Sequence, residues 1–193
     1  MRSFICIPLR QDAAASVHRI AERVRSTLDM RANWVRLVNY HVTLRFLGDI
    51  EPLLTLDLEK LSRRITASTE PFSLSLDRLG CFPSVDKPRV LWVGGDVHPA
   101  FRALVSSLDY ELRKLGFPSD RKPTIAHITL ARIKGRVDAN LPQTLDAESP
   151  GFDRAIEVIA DRIVLMESVL GPGGPTYTPL STTHFKGASS DGN

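Results

Sequence analysis

The chain has 193 residues, a formal net charge of +3 and a hydrophobic content of 42%. This length suits one domain, or two small lobes with a shared core, and the composition is that of an ordinary globular protein. No apolar run reaches the ~18 residues of a membrane helix, so a membrane span is excluded. Cys6 and Cys81 form no C-x-x-C motif and a chain of this size needs no disulfide to fold, so both are expected to be buried thiols in a reducing compartment, and a cytoplasmic location is expected.

The periodicity of the apolar residues predicts strands and helices along the chain. Alternation with a period of two indicates strands, and spacings of three and four indicate helices. Prolines, glycines and polar clusters mark the ends of these elements. In the first part of the chain we predict a strand at 3–8, a helix capped by Asp12, strands at 34–35 and 40–47, and a helix begun by Pro52. In the middle we predict a strand at 72–79, a loop from Gly80 to Pro88, a strand at 90–93, and a helix begun between Asp96 and Pro99 and stopped by Gly116. In the last part we predict a strand at 125–132, a loop over 134–150, and strands at 156–159, 163–166 and 176–180, the last two joined by a glycine- and proline-rich turn at 171–175.

Strands outnumber helices in this prediction, and many strands follow one another without a helix between them. A parallel doubly wound fold needs strands and helices in alternation, so the order favours an α+β fold with mainly antiparallel sheets. We predict a single bilobal domain over residues 1–186 and a disordered tail over residues 187–193.

Two segments of similar sequence lie far apart in the chain. Residues 40–48 read YHVTLRFLG, and residues 126–132 read AHITLAR. In each, a histidine is followed two residues later by a threonine and then by a leucine, within a run typical of a strand. One such tetrapeptide would mean little, but two copies predict a duplicated element that delivers one histidine and one threonine each.

Strand geometry decides where these side chains point, because residues i and i+2 share a face. The first motif would place His41, Thr43 and Arg45 on one face, with apolar residues on the other. The second motif would do the same for its histidine and threonine. Arg132 has the wrong parity to join them unless the strand ends or bulges before it.

If the two copies face each other across a cleft, they offer two imidazoles and two hydroxyls. Two histidines without a third ligand make a poor zinc site, so no metal is expected. Two imidazoles suit acid–base chemistry, in which one activates water and the other protonates a leaving oxygen. The two threonine hydroxyls match the two non-bridging oxygens of a phosphodiester, and Arg45 or Arg132 could offset its charge.

These segments resemble the paired H-x-T-x motifs of the 2H phosphoesterase superfamily and, within it, the RNA 2′,3′-cyclic phosphodiesterase family, also called the 2′-5′ RNA ligases. The resemblance extends to the opening FICIP at residues 4–8 and to the closing YTPL at residues 177–180. It implies a bilobal fold in which duplicated antiparallel sheets are related by a pseudo-two-fold axis, with helices packed outside and a central cleft.

The resemblance also implies an activity and roles for individual residues. The expected reaction is metal-independent hydrolysis of a terminal 2′,3′-cyclic phosphate on RNA to a 2′-phosphate, with 2′-5′ ligation as its reverse. His41 is expected to be the proton donor, His127 the proton acceptor, and Thr43 and Thr129 the ligands of the phosphate. No cofactor is expected, and the protein is expected to act as a monomer on an RNA 3′ end.

Other interpretations remain open from the sequence. The substrate could be a small cyclic nucleotide, or the chain could be a non-catalytic module that binds an RNA end or a nucleotide. Arg45 could be a substrate contact or a solvated charge at the rim. Four aromatic residues could stack on a base or could simply pack in the core or at the rim, namely Trp34, Tyr40, Phe82 and Tyr177.

Overall fold

The computed structural model describes residues 1–120, 125–148, 155–172 and 174–188. These residues form ten strands, four helices and a short 3₁₀ turn at Leu37–Asn39. The strands are β1 (Arg2–Pro8), β2 (Ala32–Trp34), β3 (His41–Asp49), β4 (Phe72–Leu76), β5 (Arg78–Phe82), β6 (Val90–Gly94), β7 (His127–Ile133), β8 (Ile156–Ala160), β9 (Arg162–Gly171) and β10 (Gly174–His184), and the helices are α1 (Gln11–Thr27), α2 (Leu54–Thr66), α3 (Pro99–Lys114) and α4 (Leu141–Glu148).

Eight of these strands form one antiparallel sheet with the order β10-β9-β1-β3-β7-β6-β5, and β2 pairs with β7 beside this path. Strands β4 and β8 form a separate antiparallel pair. The predicted α+β fold with mainly antiparallel sheets is therefore confirmed. The two motif strands, β3 and β7, meet at the centre through the pair Val42 and Ile128, so each half of the large sheet carries one motif.

One face of the large sheet is covered by helices and forms the main core. In α1 the buried side chains of Val17, Ile20 and Val24 recur at spacings of three and four, and α2 and α3 bury similar stripes of leucine. Each fully buried aliphatic side chain contributes about 1.5–3 kcal/mol, so these stripes hold the helices against this face. The strands contribute fully buried Ile5, Ile7, Val42, Leu91, Val93 and Ile128.

The opposite face of the sheet is mostly open. It carries a small separate cluster of Phe4, Cys6 and Val164, against which Met166 and Tyr177 pack. Because the helices occupy the other side, this face is where the sheet can present polar side chains to a ligand. We call it the cleft face.

The predicted strand at 72–79 is wrong, because the chain there forms two strands with different partners. Strand β4 pairs with β8, whereas β5 pairs with β6. The predicted loop from Gly80 to Pro88 is also wrong at its start, because Gly80 lies inside β5. A Cβ at Gly80 would lie 2.3 Å from the ring of Trp92, so this glycine makes room for the indole and does not begin a turn.

Three further boundaries differ from the prediction. The expected loop at 134–150 contains α4, a helix too short for its two buried leucines to reveal a period. Asp12 is not the N-cap of α1, because Arg10 holds that position and Asp12 lies in the first turn. Pro52 does not begin α2 but precedes its N-cap, which is Leu53. The carbonyl of Pro52 accepts a hydrogen bond from the N–H of Thr55.

Near the end of the chain the two predicted strands are present but longer than predicted, because β9 runs to Gly171 and β10 covers Gly174–His184, which leaves a turn shorter than the predicted 171–175. Strands β9 and β10 form a hairpin in which Gly171 pairs with Gly174, as the glycine- and proline-rich turn indicated. Most of the predicted tail, residues 189–193, lies outside the described residues, so its disorder stays a prediction. None of the described helices is both long enough and apolar enough to cross a membrane.

Candidate active site

The first motif lies in β3, next to β1. In the register of these strands His41 is opposite Pro8 and Thr43 is opposite Cys6. Val42, between them, is fully buried on the helix-covered face. His41 and Thr43 therefore project from the cleft face, where both are half-buried.

The second motif is built in the same way in β7, next to β6. His127 and Thr129 are half-buried, and Ile128 between them is fully buried. The pair formed by Val42 and Ile128 sets the register between the halves. Continued by one residue each way, this antiparallel register sets each motif's histidine opposite the other motif's threonine. The structure thus brings the four side chains together on one face.

A β-bulge in each motif strand reverses the parity of the residues that come after it. The register between β3 and β1 skips Leu44, and the register between β7 and β6 skips Leu130, the leucine at the same place in the second motif. A bulge adds one residue to one strand, so the next side chains turn to the other face. The two halves therefore share the bulge as well as the tetrapeptide.

The bulge sends Arg45 to the covered face, so its predicted place beside the histidine and the substrate is wrong. Arg45 is only 6% exposed. Its Nη1 lies 3.0 Å from the carboxylate of Asp109 in α3, and its Nη2 donates to the carbonyl of Pro118. Asp109 also accepts hydrogen bonds from the Ser119 hydroxyl and the Asp120 N–H. This network joins β3 to α3 and to the segment that leads to β7.

The bulge has the opposite effect on Arg132, which turns onto the cleft face. Ala131, the counterpart of Arg45, is fully buried, and Arg132 is exposed. Burial is the main cause that lowers the pKa of His41 and of His127, and the positive charge of Arg132 lowers both pKa values further. The guanidinium of Arg132 therefore lies within electrostatic reach of both imidazoles. Arg132 was predicted to join the histidine and the threonine only if the strand ended or bulged before it, and this bulge is present.

The two imidazoles are held in the same tautomer by the same kind of bond. Nδ1 of His41 lies 2.8 Å from the carbonyl oxygen of Asn39, and Nδ1 of His127 lies 2.8 Å from that of Ile125. A carbonyl oxygen can only accept, so each Nδ1 carries a proton and donates it. In the neutral rings, Nε2 is then the nitrogen left with a free lone pair.

Aromatic rings flank both histidines. The centroid of the His41 ring lies 4.8 Å from that of Phe4 and 5.3 Å from that of Tyr177. In the other half, the centroid of the His127 ring lies 4.9 Å from that of Phe82 and 6.2 Å from that of Trp92. These rings fix the planes of the imidazoles and remove water from their sides.

This burial controls the protonation of both histidines. It lowers the pKa of His41 to about 4, and the charges of His127 and Arg132 also lower it, whereas the hydrogen bond to Asn39 raises it. Burial likewise lowers the pKa of His127 below its ordinary value. Both imidazoles are therefore neutral at pH 7 in the unliganded protein.

The chain matches known proteins across both motifs. The family model described as LigT like Phosphoesterase matches residues 7–92 and 95–177. The chain belongs to the LigT-like phosphoesterase family. It is 32% identical to the RNA 2′,3′-cyclic phosphodiesterase of Methanothermobacter thermautotrophicus, over 93% of this chain and 96% of that protein. It is 31% identical to the protein of the same name from Aquifex aeolicus, over 89% and 93%.

Solved structures of similar proteins share the fold of this LigT-like phosphoesterase. TT0787 of Thermus thermophilus superposes with a TM-score of 0.81 at 26% identity, over 98% of this chain and 100% of that one. LigT of E. coli in its apo form superposes with a TM-score of 0.75 at 25% identity, over 96% and 97%. The likeness covers the whole sheet and both motif strands.

Within the LigT-like phosphoesterase fold, the four aromatic stacking candidates separate into two groups. Phe82 and Tyr177 lie beside the histidines. Tyr40 is 5% exposed in the main core, and Trp34 packs against that core. Phe46 was not among the predicted site residues, but it takes the place of Arg132 in the first half and is 58% exposed on the cleft face. The alternation of residues indicated the other face, and no local signal marks the bulge.

Proposed function

We propose that this protein hydrolyses a terminal 2′,3′-cyclic phosphate of RNA to a 2′-phosphate by acid–base catalysis with its two histidines. The observation that carries the proposal is the pair of imidazoles on one face, each with Nδ1 bound to a carbonyl and each facing a threonine. The relatives named RNA 2′,3′-cyclic phosphodiesterase support the same reaction.

The reaction needs one base and one acid on opposite sides of the phosphorus atom. Nε2 of His127 accepts a proton from water, whose oxygen forms a bond to phosphorus. The bond from phosphorus to the 3′-oxygen breaks, and protonated His41 donates its Nε2 proton to that oxygen. The product keeps the phosphate on the 2′-oxygen. The assignment of donor and acceptor follows the family resemblance, and 2′-5′ ligation would be the same steps in reverse.

Three further side chains act on the charge of the phosphate. The hydroxyls of Thr43 and Thr129 donate to the two non-bridging oxygens, one from each half of the sheet. Arg132 offsets the negative charge that grows in the transition state. Phe46 and Tyr177 offer ring faces to the base of the terminal nucleotide.

The low pKa of His41 limits when this residue can act as the acid. At a pKa of about 4, His41 is neutral in the free protein at pH 7. An anionic phosphate beside the imidazole favours the protonated form and raises this pKa. Substrate binding therefore supplies the protonated His41 that the reaction needs.

The proposal involves no metal ion, and one chain holds the whole site. Among the described residues no three His, Cys, Asp or Glu side chains are grouped so that they could hold a metal. Because both motifs belong to the same sheet, a monomer is sufficient for the reaction, and its proposed location is the cytoplasm.

The test is the product formed from a 3′-end-labelled RNA with a 2′,3′-cyclic phosphate, incubated in excess chelator. We expect a 2′-phosphate, resolved from the 3′-phosphate by chromatography against both standards. Binding without ring opening would instead indicate a module that recognises RNA ends. A 3′-phosphate product would contradict the proposed direction of attack and cleavage.

A further inference from the structure

The cleft face continues beyond the two motifs onto β2. In the register of β2 and β7, Asn33 is opposite Arg132 and Ala32 is opposite Ile133. The N–H of Lys134 then donates to the carbonyl of Arg31 at 2.7 Å. The next position along the pair is thus Arg31 opposite Lys134, just outside the strands.

The parity of these residues places two rows on opposite faces. Ala32, Trp34 and Ile133 pack against the main core, on the helix-covered side. The residues that alternate with them therefore point towards the cleft face, and all four are exposed. We call these four residues the basic strip, and its members are Arg31, Asn33, Arg132 and Lys134.

The charges of the basic strip are not neutralised by the rest of the protein. Arg31, Arg132 and Lys134 form no ion pair with any described residue, whereas several cations on the helices do, as in the pairs Arg63 with Glu59 and Arg64 with Glu111. The nearby carboxylate of Asp138 is occupied, because it accepts the backbone N–H groups of residues 29 and 140. Three cations and one amide therefore face solvent together.

The basic strip leads away from the proposed reaction centre. Arg132 lies at its inner end, within electrostatic reach of both imidazoles. Lys134 follows on the same face of the chain, about 6.6 Å further along, and Arg31 stands opposite it. A single RNA strand has phosphates at intervals along its backbone, so a second phosphate can be bound while the terminal one is being hydrolysed.

We propose that the basic strip binds the phosphodiester groups of the RNA nucleotides that precede the terminal cyclic phosphate. This inference rests on the proposed function and narrows its substrate class to an RNA strand, as opposed to a free cyclic mononucleotide. Arg132 serves the terminal phosphate, and Arg31 and Lys134 serve the next one. Contacts of this kind add affinity without reading the base sequence.

The test compares two substrates and two double variants. The first variant, R31Q/K134Q, removes the outer cations of the basic strip. The control, R19Q/R102Q, removes the same charge from the exposed sides of α1 and α3, on the covered face of the sheet. The substrates are a 2′,3′-cyclic mononucleotide and a tetranucleotide that ends in a 2′,3′-cyclic phosphate, each measured at two salt concentrations.

We expect R31Q/K134Q to turn over the mononucleotide as the wild type does and to lose kcat/KM on the tetranucleotide. Arg31 and Lys134 together neutralise one phosphate, which contributes about 0.7 to the log–log salt slope, so raising salt from about 50 to about 200 mM should cost the wild type about 2.6-fold more on the tetranucleotide than it costs this variant. The control variant should keep the wild-type salt slope.

Three outcomes would overturn the inference. They are an equal loss on both substrates, an unchanged salt slope for R31Q/K134Q, and an effect of the control variant as large as that of the strip variant. Fluorescence anisotropy with a labelled tetranucleotide gives a readout that does not depend on turnover. If the wild type opens neither substrate, the proposed function fails. The role of the basic strip is then tested by affinity alone, and equal affinities of the wild type and R31Q/K134Q for the tetranucleotide would contradict it.

Discussion

The two motif strands are alike up to their bulges and differ after them. Before the bulge, both present histidine and threonine to the cleft, and both tie Nδ1 to the carbonyl two residues earlier. After it, β3 turns Phe46 to the cleft and Arg45 to the core, while β7 turns Arg132 to the cleft and Ala131 to the core. In the proposed reaction the shared part supplies one imidazole and one hydroxyl from each strand to the phosphate, and the differing part gives the substrate a stacking side and a charged side.

The anchors of the two imidazoles differ in a related way. Asn39 offers its carbonyl to His41, and its side-chain amide also donates to the carbonyl of Pro175 at 2.9 Å, in the hairpin that carries Tyr177. Ile125, its counterpart, has no side chain that can donate. The residue that anchors His41 is therefore also bonded to the hairpin that carries Tyr177, whereas Ile125, which anchors His127, offers no such side-chain bond.

The largest expected effect tests what the two halves share. General acid and general base each contribute ~10²–10⁴-fold, so H41A and H127A should each lower kcat/KM on the cyclic-ended RNA at least ~10²-fold. H98N is the matched control, because His98 caps α3 away from the cleft and asparagine can keep that cap. Undiminished turnover by either alanine variant would contradict a two-histidine mechanism.

The next effect tests the residues after the bulge. R132Q should lower kcat by ~10²–10³-fold, because it removes a group that stabilises charge in the transition state. F46A should instead raise KM, by about tenfold, because base stacking contributes ~1–3 kcal/mol to binding. Steady-state kinetics on the oligonucleotide separates the two. Equal changes in kcat for both variants would contradict the distinction between a charged side and a stacking side.

A smaller effect tests the residues that the bulge sends into the core. R45M should lower the free energy of unfolding by about 3 kcal/mol, because it leaves the partly buried carboxylate of Asp109 without its main counterion. R64M is the matched control, because it also removes a cation that pairs with a carboxylate of α3, here Glu111 at the surface. It should lower the free energy of unfolding by less than about 1 kcal/mol. Urea unfolding measures both. If R45M kept the stability of the wild type but lost activity, Arg45 would act in the active site and not in the core.

The smallest effect concerns pH. Because burial lowers the pKa of both imidazoles, the maximum of kcat/KM, which reports the free protein, should lie below pH 6.5. The maximum of kcat should lie at higher pH, since the bound phosphate raises the pKa of the imidazole that must be protonated. R132Q should move the kcat/KM maximum upward, because it removes a nearby positive charge. An unmoved maximum would place Arg132 out of reach of the histidines.

The same pKa shift predicts a change in stability. The pKa of His41 is lower in the folded protein than in the unfolded chain, so the unfolded chain binds more protons between these values. Its contribution to the free energy of unfolding is complete above pH 6.5 and is lost as the pH falls towards about 4. H41N should flatten this part of the stability profile, as measured by thermal unfolding at several pH values.

The duplicated motif, the strands around it and the residues with acid–base chemistry were readable from the sequence, because the pattern of histidine, threonine and buried aliphatic residues is local. The period of two placed His41 and Thr43 correctly. The stripes of α1, α2 and α3 were equally plain, because each helix is long enough to repeat its buried spacing several times.

Only the tertiary structure decided the facing of the side chains beyond Leu44 and Leu130. A bulge is a shift in the register between two paired strands, so it depends on the partner strand, which is β1 for β3 and β6 for β7. The sequence of the motif alone does not specify that pairing. That shift moved Arg45 into an ion pair with α3 and moved Phe46 and Arg132 to the cleft. Local sequence determined which side chains could do chemistry here, and strand pairing determined which of them meet.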